Sequence, residues 1–401
     1  MSAAGAPLAG LRIADFTIHA AGPFCTHVLS QLGAECIKIE SATRPDAFRK
    51  PHAVYGRMTA ATFDQVASNK RSVRINLKKP EGVALAKRVV AISDAAAESF
   101  RAGVMRRLGL DFESLLAVKP DLVMLSLSSS GQEGPDSHFA GYAPLFGAWG
   151  GLGWMCGYSD GPPMEMRHVM DHAAGYHAAL ALMAGLHQRR ATGLPQYIDI
   201  AARDVASAMI GDALALASLG ITPERPGNRQ PGMAPHGTYP TAQPDRWLTI
   251  AVRDDAQWRA LLAVLGRDDA ATDPRFSTPE ARERHQDALD AMLSGWLAER
   301  DADATAAALQ AAGVAAHVSW NMRDVAEDAH LHARGTLVSV PDAAHPSRLA
   351  VGSPAKFSAT GDVGIRSGTP ALGEGEDYVY GELLGMDSAT RSDLQQREVI
   401  F

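Results

Sequence analysis

Apolar residues in the first half of the chain fall into short runs of strand length, separated by stretches with helical spacing. "LRIADFT" reads as a buried strand, since a short apolar run bounded by polar residues fits a strand covered on both faces. "AAGPFCTHVLSQLG" then reads as a helix, with Pro23 suited to its first turn and Gly33 to its stop. "ECIKIE" and "RSVRINL" are the next strands, and "KPEGVALAKRVVAI" is a helix opened by Pro80. "DLVMLSLSSSG" is a strand that ends in a polar loop closed by glycine. Strands interleaved with helices predict an α/β fold with a parallel sheet, in which ligands gather at the strands' carboxyl ends.

Further on, the pattern predicts a helix over Asp171–Arg190, a strand at "QYIDIA" and a long helix from about Arg203 to Leu219. "GITPERPGNRQPGMAPHGTYPTAQPD" breaks the periodicity with Pro and Gly and reads as a linker. A smaller α/β unit follows: strand "WLTIAV", helix "DAQWRALLAVLG", one charged helix "TPEARERHQDALDAMLSGWLAER", helix "ADATAAALQAAG" and strand "VAAHVSW". From about Val338 the chain is strand- and turn-like until a terminal acidic helical segment. The division expected is therefore 1–220 for the first part of a large domain, 221–245 for a linker, 246–335 for a small α/β domain, and 336–401 for a return segment completing the large one.

Length and charge narrow the classes. A chain of 401 residues exceeds one ordinary core. Its net charge of −7 argues against a nucleic-acid binder, because phosphate backbones call for a basic surface. Cys25, Cys36 and Cys156 are few and widely spaced, as in a cytoplasmic protein with reduced thiols, and no Cys-based zinc spacing exists. "MSAAGAPLAG" lacks the charged and apolar regions of a signal peptide. "HAALALMAGL" is too short to span a bilayer, so no membrane is expected as partner.

One stretch gathers candidate chemistry: "EMRHVMDHAAGYHAALALMAGLHQRR", Glu165 to Arg190. Three readings of it stand open. His168, Asp171 and His172 form H-x-x-D-H, similar to an inverted zinc-protease motif, but the base is a methylene short, no third ligand follows by spacing, and His177 lies off the shared face. Alternatively Asp171 caps a helix, since carboxylates at helix N-termini are stabilised by about 0.3–1 kcal/mol. The third reading keeps that position and adds chemistry: a carboxylate held ionised, its pKa lowered if anything, is a nucleophile toward a thioester and gives a mixed anhydride.

Five blocks in order decide between these. "LAGLRIADFTIHAAGPFCTHVLSQLGAECIKIE", "NKRSVRINLKKPEG", "SDAAAESFRAGVMRRLGLDFESLLAVKPDLVMLSLSSSGQEGP", "MDHAAGYHAALALMAGLHQRRATGLPQYIDIA" and "MAPHGTYPTAQPDRWLTIAV" together resemble the family III CoA-transferases, over nearly the whole chain. That family includes formyl-CoA transferase, the carnitine CoA-transferases and the α-methylacyl-CoA racemases. The resemblance implies a Rossmann-like large domain, a smaller α/β domain and an interlocked dimer. It carries a catalytic aspartate onto Asp171, before "AAG", acting through an aspartyl anhydride and an aspartyl-CoA thioester. Coenzyme A or acyl-CoA enters as substrate, with a carboxylic acid as its partner, and no tightly bound cofactor or metal is implied.

The family's CoA contacts fall on His19 and Ala20, on Ser41, and on Ile75, Asn76 and Lys78. They continue on Ser99, Phe100, Arg101 and Arg107, and on Ala140 to Ala143 with Tyr142. Arg107 is the first choice for phosphate, since a guanidinium offers fixed donors to phosphate oxygens. Lys70 and Arg71 read equally as ligand contacts or as solvated punctuation before a strand.

Departures from formyl-CoA transferase are informative. Ser41 stands where that enzyme has a basic residue, Ala20 where it has a glutamine, and "ESF" where it has "ENF". Its run of lid glycines is absent; "PGNRQPGMAPHGTYP" resembles instead the carnitine and aryl-succinate branches, so a larger acid than formate or oxalate is expected. The racemase branch places a His where this chain has Tyr142, with His138 displaced, which argues against two-base proton exchange. A subunit role beside a similar second chain is the other alternative to a homodimer.

Overall fold

The computed structural model describes residues 5–49, 58–166, 168–340, 347–361 and 363–401. Two compact units emerge, one made of the described residues of Met1–Gly153, Glu165–Gly220 and Ala329–Phe401, the other of Trp154–Met164 and Ile221–Asp328.

The larger unit begins with β1 (Arg12–Asp15), α1 (Ala21–Gln31), β2 (Glu35–Glu40), α2 (Met58–Ala67), β3 (Arg71–Arg74) and α3 (Pro80–Ala91). It continues with β4 (Ala95–Glu98), the short helices α4 (Val104–Leu108) and α5 (Phe112–Leu116), β5 (Val123–Ser128) and α6 (Ala143–Gly150). Then come α7 (Val169–Thr192), β6 (Gln196–Ala201), α8 (Ala202–Ala208) and α9 (Gly211–Ser218). The six strands form one parallel sheet in the order β3-β2-β1-β4-β5-β6. The α/β expectation holds, with the doubly wound order in which connections run outward from β1 and β4 in opposite directions.

Period-two alternation sorts the core. Ile13, Cys36, Ala95, Ala97, Val123 and Leu125 pack with α1 and α7 on one face. Ala14, Ile37, Val73, Ala96 and Met124 pack with α3 and the chain's returning end on the other. The long helix expected from Arg203 is two helices: Ile210 leaves the helical region at φ −124°, ψ 34°, and Gly211 restarts the run as α9.

In the smaller unit, β7 (His236–Pro240), β8 (Trp247–Ala251) and β9 (Ala315–Val318) make an antiparallel sheet. Strand β7 lies inside the stretch that reads as linker. Helices α10 (Asp255–Leu265), α11 (Pro279–Arg284), α12 (Gln286–Leu297) and α13 (Ala302–Ala311) cover one face of it, burying Trp258, Leu261, Leu289, Leu293 and Leu309. The single charged helix expected here is broken at His285, φ −113°, ψ 31°, where α11 ends and α12 begins. Asp254, Thr278 and Asp301 each accept a backbone N–H at a helix start, which fixes three of these boundaries. A last helix, α14 (Met322–Glu327), carries an Asn321–Asp324 capping box.

The chain then returns to the larger unit through α15 (Ala329–Ala333), the antiparallel pair β10 (Leu337–Val340) and β11 (Arg348–Val351), and α16 (Ser388–Gln396). This return covers edge strand β3. Gly375 N–H donates to Ser72 O, Glu376 holds the Arg74 guanidinium at 2.6 Å, and the Tyr380 hydroxyl donates to Arg74 O at 2.7 Å. No helix among the described residues is long and apolar enough to cross a membrane.

Candidate active site

The carboxyl ends of β1 and β4 are the topological switch point of the sheet, the place where open α/β folds take their ligands. The loops leaving the two strands are tied together by Ser99. Its Oγ accepts the Ile18 N–H at 2.9 Å and donates to Ile18 O at 3.1 Å. Gly22 permits the approach, because a Cβ there would lie 2.7 Å from Ser99 Cβ and 2.8 Å from Thr17 Cβ.

Helix α7 crosses the start of α1 just as closely. A Cβ on Gly175 would meet Ala21 O and Phe24 Cδ1 at 2.8 Å, so only glycine lets the two helices touch there. Asp171 lies one turn earlier on the same face of α7, which carries it toward the β1 loop and His19. It is the third helical residue rather than the cap. The cap position belongs to His168, in the left-handed region at φ 60°, and its side chain makes no capping bond. The His168 carbonyl instead accepts the His172 backbone N–H at 3.1 Å and the His172 Nδ1–H at 2.7 Å. That bond fixes the His172 tautomer, and the ring stands edge-on to Phe24 at 4.3 Å.

The Asp171 carboxylate is partly buried and hydrogen-bonds no described residue. Its expected lowered pKa is reversed. Burial pushes it up from the ordinary 3.8, and the nearby His168, His172 and His19 pull it back. A carboxylate three residues into the helix gains less from the terminal N–H groups than a cap does, so burial prevails. His177 bonds the Ala173 carbonyl from Nδ1 at 2.9 Å, a helix-internal bond. Among the described residues no group of three His, Cys, Asp or Glu side chains is arranged to hold a metal ion.

Beneath this loop runs a buried polar chain that patterning alone does not expose. Lys70 and Asp15 have fully buried side chains paired at 2.9 Å. Lys70 Nζ also donates to Pro23 O at 2.9 Å and to Thr26 Oγ1 at 2.6 Å, which anchors the first turn of α1. Burial alone would raise the Asp15 pKa, but Lys70, Lys38 and the Thr17 hydroxyl hold it below 3.8. Lys38 donates to Thr17 O at 2.9 Å and faces Asp46 at 3.6 Å. Asp46 in turn accepts the His19 N–H at 3.2 Å, with His19 at φ 65°. Lys70 is thus neither ligand contact nor solvated punctuation. Arg71 opens β3, pairs with Glu35 at 3.1 Å and lies 4.1 Å from the Tyr378 ring centre.

The residues expected to meet CoA lie along the same carboxyl edge, in two groups. His19, Ala20, Ser99 and Tyr142 gather about the β1 loop, where His19 acts on Asp171: Tyr142, 64% exposed, stands edge-on to His19 at 6.2 Å, and Phe48 flanks the same ring at 6.4 Å. Ala140 is exposed in the loop before Tyr142, and His138 turns its ring to Phe139 at 4.8 Å. Ser41, Ile75, Asn76 and Lys78 follow β2 and β3. Ile75 is buried in the core, and Asn76 gives its amide to Glu398 O at 3.1 Å while its Oδ1 accepts the Lys78 N–H. The backbone N–H groups of Ile75 and Asn76 are taken as well, by Glu40 O at 2.7 Å and Val399 O at 2.9 Å, so both residues are fastened into the sheet and the returning chain. Ser41 Oγ is shared between Thr43 Oγ1 at 2.9 Å and Phe401 O at 3.3 Å. Phe100 packs partly against the core, whereas Lys78, Arg101 and Arg107 are exposed and form no ion pair with any described residue.

Within the smaller unit, the segment "PGNRQPGMAPHGTYP" is firmly anchored. Arg229 bridges Asp287 and Asp290 at 2.5 and 2.9 Å, and His236 Nδ1 donates to Asn228 O at 2.6 Å. Asn228 donates to the Tyr158 hydroxyl at 2.9 Å.

Comparison with known proteins agrees with this fold. The profile of CoA-transferase family III matches residues 8–376. The chain is 33% identical to a succinyl-CoA–D-citramalate CoA-transferase of Chloroflexus aurantiacus, covering 98% of both chains. It is 29% identical to the beta subunit of a succinyl-CoA–L-malate CoA-transferase from the same organism, again over 98% of each. A CAIB/BAIF family protein from Brucella suis superposes with a TM-score of 0.85 at 30% identity, covering 94% of this chain and 100% of that one.

Proposed function

This chain belongs to CoA-transferase family III, and we propose that it moves CoA from an acyl-CoA to a carboxylic acid with Asp171 as covalent nucleophile. The observation that carries the reading is the Asp171 carboxylate itself: partly buried, beside His19 at the switch point, and hydrogen-bonded to no described residue. In the first step an Asp171 oxygen attacks the thioester carbon and the CoA thiolate leaves, giving a mixed anhydride. The thiolate then attacks Asp171 Cγ and expels the donor acid, which leaves an aspartyl-CoA thioester. The acceptor carboxylate attacks the same carbon, CoA departs as thiolate, and a second anhydride forms. Thiolate attack on the acceptor acyl carbon releases the new acyl-CoA and restores Asp171. Each step exchanges one activated acyl group for another, so no outside energy source enters. Two relatives named for succinyl-CoA support succinyl-CoA as a donor.

Trapping tests the reading. With succinyl-CoA and a panel of other acyl-CoAs, a hydroxylamine quench is expected to leave a hydroxamate on the peptide containing Asp171, read by mass spectrometry. An unmodified Asp171 in a protein that still turns over would overthrow the covalent route.

Lys78, Arg101 and Arg107 are the cations open to CoA's phosphates. Arg107→Ala is expected to weaken CoA binding about tenfold, as loss of one charge-assisted contact does, with kcat little changed. A fall in kcat at unchanged affinity would take Arg107 out of the phosphate site.

The same reading makes the working form a homodimer. Leu180, Leu214 and Leu219 stand 65%, 51% and 76% exposed on and just beyond α7 and α9, which supports cover by a second chain. Light scattering on the purified protein reads the mass directly, and a stable, active monomer would refute the dimer.

A further inference from the structure

One buried carboxylate at the ligand edge takes no part in the transfer chemistry. The register of β4, β5 and β6 places Glu98, Ser126 and Asp199 side by side in one row, on one face of the sheet. Glu98 is 1% exposed. One carboxylate oxygen accepts the backbone N–H of Phe100 at 2.6 Å, and the other faces Gln132 Nε2 at 3.4 Å. The Ser126 hydroxyl also bonds this carboxylate and itself accepts from the Tyr197 hydroxyl at 3.0 Å. Gln132 closes the cluster by donating its backbone N–H to Asp199 at 2.7 Å.

Among the described residues, the charged and titratable groups that act on this cluster are acids and one phenol. They are Asp199 and Tyr197 of β6, Glu113 of α5 beside Tyr197, and Glu133 and Asp204 beside Asp199. Burial, with Asp199 adding to it, pushes Glu98 up to about 7, against the opposing bonds from Ser126 and Phe100.

We propose that Glu98 is a positioning residue for the ligand edge: its ionised carboxylate holds the Phe100 N–H, and so keeps the turn of Ser99, Phe100 and Arg101 in the form that accepts CoA. This rests on the reading that this edge binds CoA. A charged acceptor makes roughly twice as strong a bond as a neutral one, so protonation of Glu98 loosens the turn. Ser99 ties that turn to Ile18, which passes the loosening across the switch point to the His19 loop. Linkage is reciprocal: if ionised Glu98 favours CoA, bound CoA favours ionised Glu98 and expels its proton near pH 7.

Two readouts test this on the full-length protein at pH 6 and pH 8. The first is hydrogen exchange of the peptide containing Phe100 without ligand, corrected for the intrinsic pH dependence of exchange. The second is calorimetric titration with CoA, run at pH 7 as well in two buffers of different ionisation enthalpy. The peptide is expected to be better protected at pH 8. CoA is expected to bind about tenfold tighter at pH 8 than at pH 6, beyond the change in Glu98→Gln, whose profile contains only the ligand phosphate's own titration near pH 6. At pH 7 the wild type releases a proton that Glu98→Gln does not. Asp199→Asn removes a facing negative charge and moves the midpoint down, a shift that damage to the fold does not produce. Equal protection at both pH values, or matching pH profiles for wild type and Glu98→Gln, overturns the proposal. Protection that follows pH while CoA binds at neither pH refutes the CoA reading and leaves the hold of Glu98 on the turn standing.

Discussion

Asp171→Asn is expected to lower kcat by at least about 10⁴-fold, the scale on which a lost covalent nucleophile is felt. The amide has almost the shape of the carboxylate but cannot form the anhydride. Little else is disturbed, because the native carboxylate hydrogen-bonds no described residue and does not cap α7. Melting temperature and CoA affinity are therefore expected to stay near wild type while turnover disappears. The acid limb of the wild-type profile adds a second check. Burial raises the Asp171 pKa above 3.8, so activity is full above the raised value and falls as pH drops through it. A variant that loses stability in step with activity would return Asp171 to a purely structural role.

Lys70→Met is expected to cost about 3–5 kcal/mol of stability, the penalty for leaving a buried charge without its partner. Asp15 is wholly buried, and its other bonds, from the Thr17 N–H and hydroxyl and from Thr26, are all to neutral groups. The pair fastens the start of α1 to the end of β1, so the site loses order along with the fold. Asp15→Asn added to Lys70→Met removes the stranded charge, keeps an acceptor for Thr17, and is expected to recover part of the loss. Because Asp15 is held below 3.8, the ionised pair contributes fully above that value and is lost as pH falls beneath it. Urea unfolding of the single and double variants measures both terms, and a single-variant loss under about 1 kcal/mol would show the pair to be dispensable.

The sequence showed the strands that patterning can show. Those at Glu35–Glu40 and Gln196–Ala201 fall where apolar and β-branched residues put them. Strand β4, "AAAE", carries no such signal, since alanine is a poor strand former. It is a strand because it sits mid-sheet under two helices, where small side chains let α1 come close. Strand β7 hides among prolines and glycines for a similar reason: its pairing with β8, not its composition, defines it. Helix breaks at Ile210 and His285 escaped because helical spacing runs on across them. The resemblance singled out Asp171, but the direction of its pKa could not be read, since burial is a property of packing. Lys70 and Glu98 lay beyond reach altogether. A lysine or glutamate in a sequence reads as solvent-facing until a partner far along the chain is known.

The return of the chain over β3 has a consequence for how this protein is made. Arg74 waits for Glu376, and Asn76 for Glu398, partners 302 and 322 positions further on. At an ordinary synthesis rate of about 5–20 residues per second, that is roughly 15–60 s on the ribosome with the sheet's edge strand uncovered. During that interval the nascent chain offers unpaired backbone groups to any passing strand, and the loops at Ser41 and Asn76 lack their fastenings. A product of interrupted translation is then a target for chaperones and proteases rather than a partly active enzyme.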